Sequence, residues 1–270
     1  MHQSLNGDTN MPSKTATNRT TLLCLVSGAV LVSSAHAGLI DGRTQVGAWD
    51  FRNGNANDLV GSNNGQTVGD VHLGNYRGQT GASFAHGRAS DYISFANQDA
   101  YQLTDGAIAI GFKQTGKWNS METLFSKDAS GYVDGGHLTI NLLKGQNSNE
   151  GIVQVRLQST NESYYVNSGT LDLNKWYNLE FAFGSDGMKL EIDGVVVDTN
   201  AYTGGLIGNN EDFSLGTSRW AAHSGEWNHL RNGYSGLISN VEIYGAAAVP
   251  APGPLALLAA GGILSIRRKR

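Results

Sequence analysis

Thiol chemistry is almost absent from this chain: its single cysteine, Cys24, lies in an N-terminal apolar stretch. From residue 38 onward neither a disulfide framework nor a thiol nucleophile is available. Proline is scarce, at four in 270 residues, and of four methionines Met121 and Met188 alone fall between residues 38 and 248. No segment of that span keeps a helical period of apolar residues, which excludes a helical bundle. Basic charge is short as well. The chain stands at −4, and with +1 on the leader and +4 on the last four residues the span 38–248 carries −9. That balance speaks against nucleic acid or another anionic polymer as partner, since both demand a basic face.

The two ends carry addresses. Lys14 and Arg19 precede the apolar stretch Leu22 to Val32, and Ala35-His36-Ala37 places small residues where a signal peptidase reads them, so residues 1–37 read as a signal peptide cleaved after Ala37. At the other end, Val249-Pro250-Ala251-Pro252 breaks the preceding fold, an apolar run follows from Leu255 to Ile266, and Arg267-Arg268-Lys269-Arg270 ends the chain. Such a run covers roughly 18 Å as a helix against a hydrocarbon core of roughly 30 Å, which suits a transient membrane association better than a permanent anchor. This tail, residues 249–270, resembles the PEP-CTERM sorting signal of exopolysaccharide-producing Gram-negative bacteria, although Ala251 stands where that family has Glu. The resemblance implies processing by an exosortase, a membrane-embedded cysteine protease, and an exported protein at the cell surface or outside a Gram-negative cell.

Between the signals, 36 glycines in the chain and frequent Asn, Ser and Thr punctuate short alternating or β-branched runs. Gln45 to Phe51, Tyr92 to Phe95, Ala107 to Lys113, His137 to Leu143, Ile152 to Gln158, Ser163 to Asn167, Trp176 to Phe183, Lys189 to Asp198 and Gly236 to Tyr244 read as strands. An all-β, antiparallel two-sheet sandwich or jelly roll is expected for residues 38–248. Asp193-Gly194 between Leu190–Ile192 and Val195–Val197 reads as a type I′ hairpin, because both turn positions need positive φ.

Several segments resemble laminin-G-like, concanavalin A-like lectin jelly rolls. They are Ala48-Trp-Asp-Phe51 with the loop Asn57 to Gly65, Ala82-Ser-Phe84, Ser90 to Phe95, Lys175 to Leu179, the Glu191–Val197 hairpin and the closing run Tyr234 to Tyr244. The resemblance implies the fold and leaves the function open, since such domains bind carbohydrate, adhere to proteins, cleave polysaccharide or act as scaffolds.

Candidate sites divide by chemistry. Jelly-roll glucanases carry alternating Glu and Asp on one strand; here Glu191-Ile192-Asp193 begins that pattern, Val195 ends it, and a charge exposed beside a turn is the plainer expectation. Gln154 and Arg156 with His137 imitate the polar set of polysaccharide lyases. His223, Glu226 and His229 offer metal ligands at a spacing that does not suit a helix. The loop Asn53 to Asn64, with Asn57 and Asp58, offers oxygen ligands to calcium and is equally rich in turn formers. Asn240 stands where related jelly rolls often place a carboxylate. For a saccharide, which needs an aromatic face and planar polar partners, the densest cluster is Trp220, Trp227, Asn228, Arg231, Asn232 and Tyr234, whereas Trp49 and Trp176 are expected in the core. A non-catalytic binding or adhesion module for extracellular polysaccharide, in an exopolysaccharide or biofilm matrix, is the leading expectation; a polysaccharide lyase or glycoside hydrolase on the same fold is the alternative.

The tail makes a direct prediction. Intact mass of protein taken from the surface of the native host is expected to lack Arg267 to Arg270, and in a host without the processing enzyme the chain is expected in the membrane fraction.

Overall fold

Side chains along a strand alternate between its two faces, and the chain uses that period from Arg43 to Ala247. The computed structural model describes residues 38–117, 119–131 and 135–247; both terminal signals lie outside the described residues. Among them eighteen strands are formed, beginning with β1 (Arg43–Asp50), β2 (Gln66–Val68), β3 (Val71–His72), β4 (Asn75–Tyr76), β5 (Gln79–Thr80) and β6 (Ala82–Phe84). Next come β7 (Tyr92–Phe95), β8 (Gly106–Gln114), β9 (Met121–Lys127), β10 (His137–Lys144), β11 (Glu150–Gln158) and β12 (Ser163–Asn167). The last are β13 (Leu171–Asp172), β14 (Tyr177–Phe183), β15 (Met188–Ile192), β16 (Val195–Asn200), β17 (Phe213–Leu215) and β18 (Gly236–Ala247).

Two eight-stranded antiparallel sheets result, as expected for a jelly roll. Sheet I runs β16-β15-β14-β8-β18-β6-β3, with β1 also on β18; sheet II runs β12-β11-β10-β9-β17-β7-β2, with β13 on β11. Strand β18 is long enough to serve two partners on one edge. Its Gly236–Ile238 portion pairs with β6 and its Asn240–Ala247 portion with β1, while β8 occupies the other edge. Facing side chains of both sheets form one core, from Ile108, Ile110 and Phe181 on sheet I to Ile140, Val155 and Phe213 on sheet II. Truncating one of these to Ala removes about 2–5 kcal/mol of stability. Trp49 is buried as expected, its indole N–H donating to the Asn63 carbonyl at 2.9 Å.

The Asp193-Gly194 turn has φ of 51° and 80°, as a type I′ hairpin requires. Its pairing is not regular throughout. Ile192 lies opposite Val195 and Glu191 opposite Val196, but Leu190 lies opposite Asp198, so Val197 is the extra residue of a bulge. Strand β9, central in sheet II, was not among the expected strands, because Glu122 and Lys127 interrupt its apolar pattern. Both are buried and partnered: Glu122 accepts from Gln114 Nε2 at 3.0 Å, Asn119 Nδ2 at 2.6 Å and Ser235 N at 2.8 Å.

Lys127 closes the far end of β9 and donates to Asn97 Oδ1 at 2.7 Å and to the Glu211 carbonyl. Burial lowers its ammonium from 10.5 to about 8, against the attraction of Asp212 and Glu211. An unfolded lysine titrates near ~10.4, so between about pH 8 and 10 the unfolded state holds more protons and stability rises with pH. The cost of the buried charge is fully present below that window and is relieved across it. Chemical denaturation is expected to show a higher midpoint at about pH 9.5 than at about pH 8, and Lys127→Met is expected to lose that rise.

Candidate functional site

In β10 and β11 the core takes Leu138, Ile140 and Leu142 from one strand and Val153, Val155 and Leu157 from the other. The period of two therefore turns Thr139, Asn141, Gln154 and Arg156 to the outer face of sheet II. Register sets them in rows. Thr139 lies opposite Arg156, which lies opposite Tyr165 of β12; Asn141 lies opposite Gln154, which lies opposite Asn167. Thr123 of β9 extends the second row, its hydroxyl donating to Asn141 Oδ1 at 2.8 Å, and Gln154 Nε2 donates to Asn167 Oδ1 at 3.1 Å.

A loop from Gly216 to Tyr234 rises beside these rows. It leaves β17 at Gly216, whose φ of +87° brings the backbone against Phe84; a Cβ there would stand 2.4 Å from that ring. Ser218 and Arg231 then exchange backbone hydrogen bonds at 2.9 and 3.1 Å, which pinches the loop into a short hairpin. At its neck Trp220 is 46% exposed and the Arg231 guanidinium lies 5.8 Å from its ring centroid. Asn232 ties the neck to β9, its carbonyl accepting from Thr123 N at 2.9 Å. The result is an open groove of about 510 Å³, with Thr139, Asn141, Gln154 and Arg156 as floor and Tyr165 and Trp220 as aromatic walls. Tyr165 is 42% exposed.

Below the floor, buried Asp128 accepts from Ala129 N at 2.8 Å and from the Arg156 guanidinium. His137 Nδ1 stands 2.8 Å from the same carboxylate, out of hydrogen-bonding alignment. His137 is therefore part of the support and does not reach the groove, while Gln154 and Arg156 do. No carboxylate lines the groove among the described residues, although Arg156, Arg231 and three amides, Asn141, Gln154 and Asn232, do. The net charge of −9 is thus unevenly spread, and the exclusion of anionic polymers drawn from it does not extend to this surface.

The remaining expected residues have other tasks. Trp227 stacks on Tyr92 at 5.0 Å and 3° and receives the Arg219 guanidinium at 4.5 Å on its ring. Arg219 is itself fully buried; it donates to Glu211 Oε2 at 3.3 Å and to the Glu226 carbonyl at 3.0 Å, and desolvation lowers its pKa. Trp227 is half-buried packing beneath the loop. Asn228 organises the loop tip, accepting from His223 N at 3.0 Å and donating to the Glu226 carboxylate. Tyr234 is fully buried, its hydroxyl donating to the Lys113 carbonyl at 2.8 Å, so it belongs to the core rather than to a binding surface. Its ring packs inward against Phe84, 5.7 Å away.

Asp58 accepts from the backbone N–H groups of Ala48, Val60 and Asn63 at 3.2, 3.0 and 3.2 Å, and exposed Asn57 donates its N–H to Asn55 Oδ1 at 3.0 Å. The loop's oxygens are engaged with its own turns. Among the described residues no three His, Cys, Asp or Glu side chains converge as metal ligands, and His223 and Glu226 are an exposed pair 3.7 Å apart. Glu191 is 3% exposed on the outer face of sheet I, not a solvent-facing charge, and Asp193 accepts from Asn178 N at 2.9 Å within its turn. Trp176 departs from expectation in the other direction. It precedes β14 in phase with Asn178 and Glu180, outside the core set Tyr177, Leu179 and Phe181, and is 41% exposed.

Comparison with known proteins agrees with this architecture. No curated protein matches the chain in sequence. Among solved structures, domain 4 of AbnA, a GH43 extracellular arabinanase from Geobacillus stearothermophilus in complex with arabinotriose, is 17% identical with a TM-score of 0.55, over 77% of this chain and 95% of that one. The binding domain of botulinum neurotoxin DC in complex with SialylT is 15% identical with a TM-score of 0.53, over 76% of this chain and 48% of that one. The chain thus spans about half the length of the toxin domain. At these identities the likeness is one of fold. Residues 86–251 match the Laminin_G_3 family model, and the chain belongs to the concanavalin A-like lectin/glucanases superfamily.

Proposed function

We propose that this chain is an exported saccharide-binding module whose groove on sheet II holds an extracellular polysaccharide carrying acidic groups. The observation that carries this reading is the convergence of two exposed aromatic side chains, Trp220 and Tyr165, with Asn141, Gln154 and Arg156 in one open groove. Sugar rings present apolar faces that stack on aromatics and hydroxyls that pair with planar amides and guanidinium groups. Arg231, with no carboxylate in the lining, favours a uronate or a similarly charged residue over a neutral sugar, while Arg156, anchored by buried Asp128, presents its remaining N–H donors to the groove. Two structural neighbours solved with saccharides support the reading at the level of fold. The leader supplies export, and the tail supplies transient membrane association and processing by an exosortase-type enzyme.

Hydrolysis by a carboxylate pair has no basis in this groove, since the mechanism needs two acids flanking the bond. A lyase is the second reading, favoured by Gln154, Arg156 and Tyr165 lying together; it predicts unsaturated products that absorb in the ultraviolet, and the binding reading predicts none.

Trp220→Ala is expected to weaken binding to an acidic polysaccharide by about 1–3 kcal/mol while changing folding stability by less than about 0.5 kcal/mol, as an exposed residue should. Affinity is expected to fall as salt rises, because the guanidinium contribution is screened. Calorimetric titration and a thermal melt on the same preparation check both. A variant that binds as the parent does, or unfolds far more easily, contradicts the role given to Trp220.

A further inference from the structure

The outer face of sheet I carries a second groove of about 490 Å³ that the reading above does not use. Its wall is Trp176, turned outward by the strand period and 41% exposed. Lys113 of β8 is in the same outward phase, with Nζ 5.5 Å from the Trp176 ring centroid. Asn178 of β14, Ser239 of β18 and Gln79 and Thr80 of the β4–β5 hairpin complete the polar lining, with Arg52 at the rim. Arg52 is held by Asp50 through two hydrogen bonds of 2.8 Å, so its guanidinium is fixed in place.

Beside the groove, Gly111 lets the Ser239 and Asn240 side chains pack down onto β8. Gly111 lies opposite both Asn178 and Asn240, and a Cβ there would stand 2.2 Å from Ser239 Oγ. No carboxylate lines this groove among the described residues, in a span that carries −9. The chemistry parallels that of the Trp220 groove: an exposed indole with a cation over its ring, amides and hydroxyls around it, and no acid in the lining. The two grooves lie on opposite outer faces of the sandwich, with the whole core between them.

We infer that the Trp176 groove is a second site for an acidic saccharide, and that one domain holds two polymer chains, one on each sheet. Each site stands on its own residues; the bivalency rests on the Trp220 groove being a saccharide site as well. A domain of this kind cross-links a polysaccharide without oligomerising, because joining two sites on one rigid body links the chains they hold.

The test is the number of sites per chain. Hexasaccharides of alginate, polygalacturonate and hyaluronan are titrated calorimetrically into the mature protein, and long chains of the same polymers are followed by light scattering. The parent is expected to bind two hexasaccharides of at least one polymer and to raise scattering to a maximum at intermediate ratios. Trp176→Ala and Lys113→Ala are each expected to bind one, with at least a tenfold loss of the scattering signal and unchanged thermal stability. Trp220→Ala is expected to bind one as well, at the remaining groove. If the parent binds one hexasaccharide and Trp220→Ala abolishes it, the second site is overturned and the first stands. If the parent binds one and Trp176→Ala abolishes it, the second site stands and the reading of the Trp220 groove fails. Binding of none of the three overturns both.

Discussion

A strand cannot turn a side chain inward without turning its neighbours outward, and that constraint ties the core of this domain to its surface. Leu138, Ile140 and Leu142 of β10 and Val153, Val155 and Leu157 of β11 must face sheet I to be buried. Thr139, Asn141, Gln154 and Arg156 then have one place to go. A slip of one residue in β11 would bury Arg156 in the core and expose valines in the groove, and one in β10 would bury Asn141 and expose Ile140, so the register is enforced by the hydrophobic term. The polar rows of the groove are as firmly fixed as the core behind them.

The aromatic wall is held by different means. Loop residues have few apolar contacts to fix them, and here buried ionic groups take over. Arg219, fully buried, links Glu211, the Asp212 and Glu226 carbonyls and the Trp227 ring, while its own N–H donates to Ser126 Oγ of β9 at 3.0 Å. Burying such a charge has a desolvation cost that its partners only offset, so the pair specifies a geometry more than it adds stability. The geometry specified is that of the segment leading into Trp220. The backbone exchange between Ser218 and Arg231 then sets the guanidinium over the exposed indole.

Much of the fold was legible in the sequence, because long alternating runs and an Asp-Gly turn each have one physical reading; β7 and β12 begin and end where their runs do. β9 was hidden since Glu122 and Lys127 occupy buried positions that hydrogen bonding alone makes tolerable, and β17 is three residues long. The site was legible in part. Trp220, Arg231 and Asn232 stand in the groove, but a cluster near in sequence gave no sign that Tyr234 turns into the core or that Trp227 lies between Tyr92 and Arg219. The groove floor was written in the outward positions of strands already recognised. What the sequence could not show was which outward face the loop would cover. Trp176 illustrates the converse: one residue out of phase with Tyr177 and Leu179, it belongs to the surface by the same rule that buries them.

The assignment of Trp220 to a binding surface, and of Trp49 and Trp227 to packing, is the central claim, and the indole N–H resonances report on each ring separately. On titration with an acidic oligosaccharide that binds, the Trp220 resonance is expected to move progressively to saturation, while those of Trp49, which donates to the Asn63 carbonyl, and of Trp227, stacked on Tyr92, stay in place. A saturating shift at Trp227 with Trp220 unmoved would contradict the account.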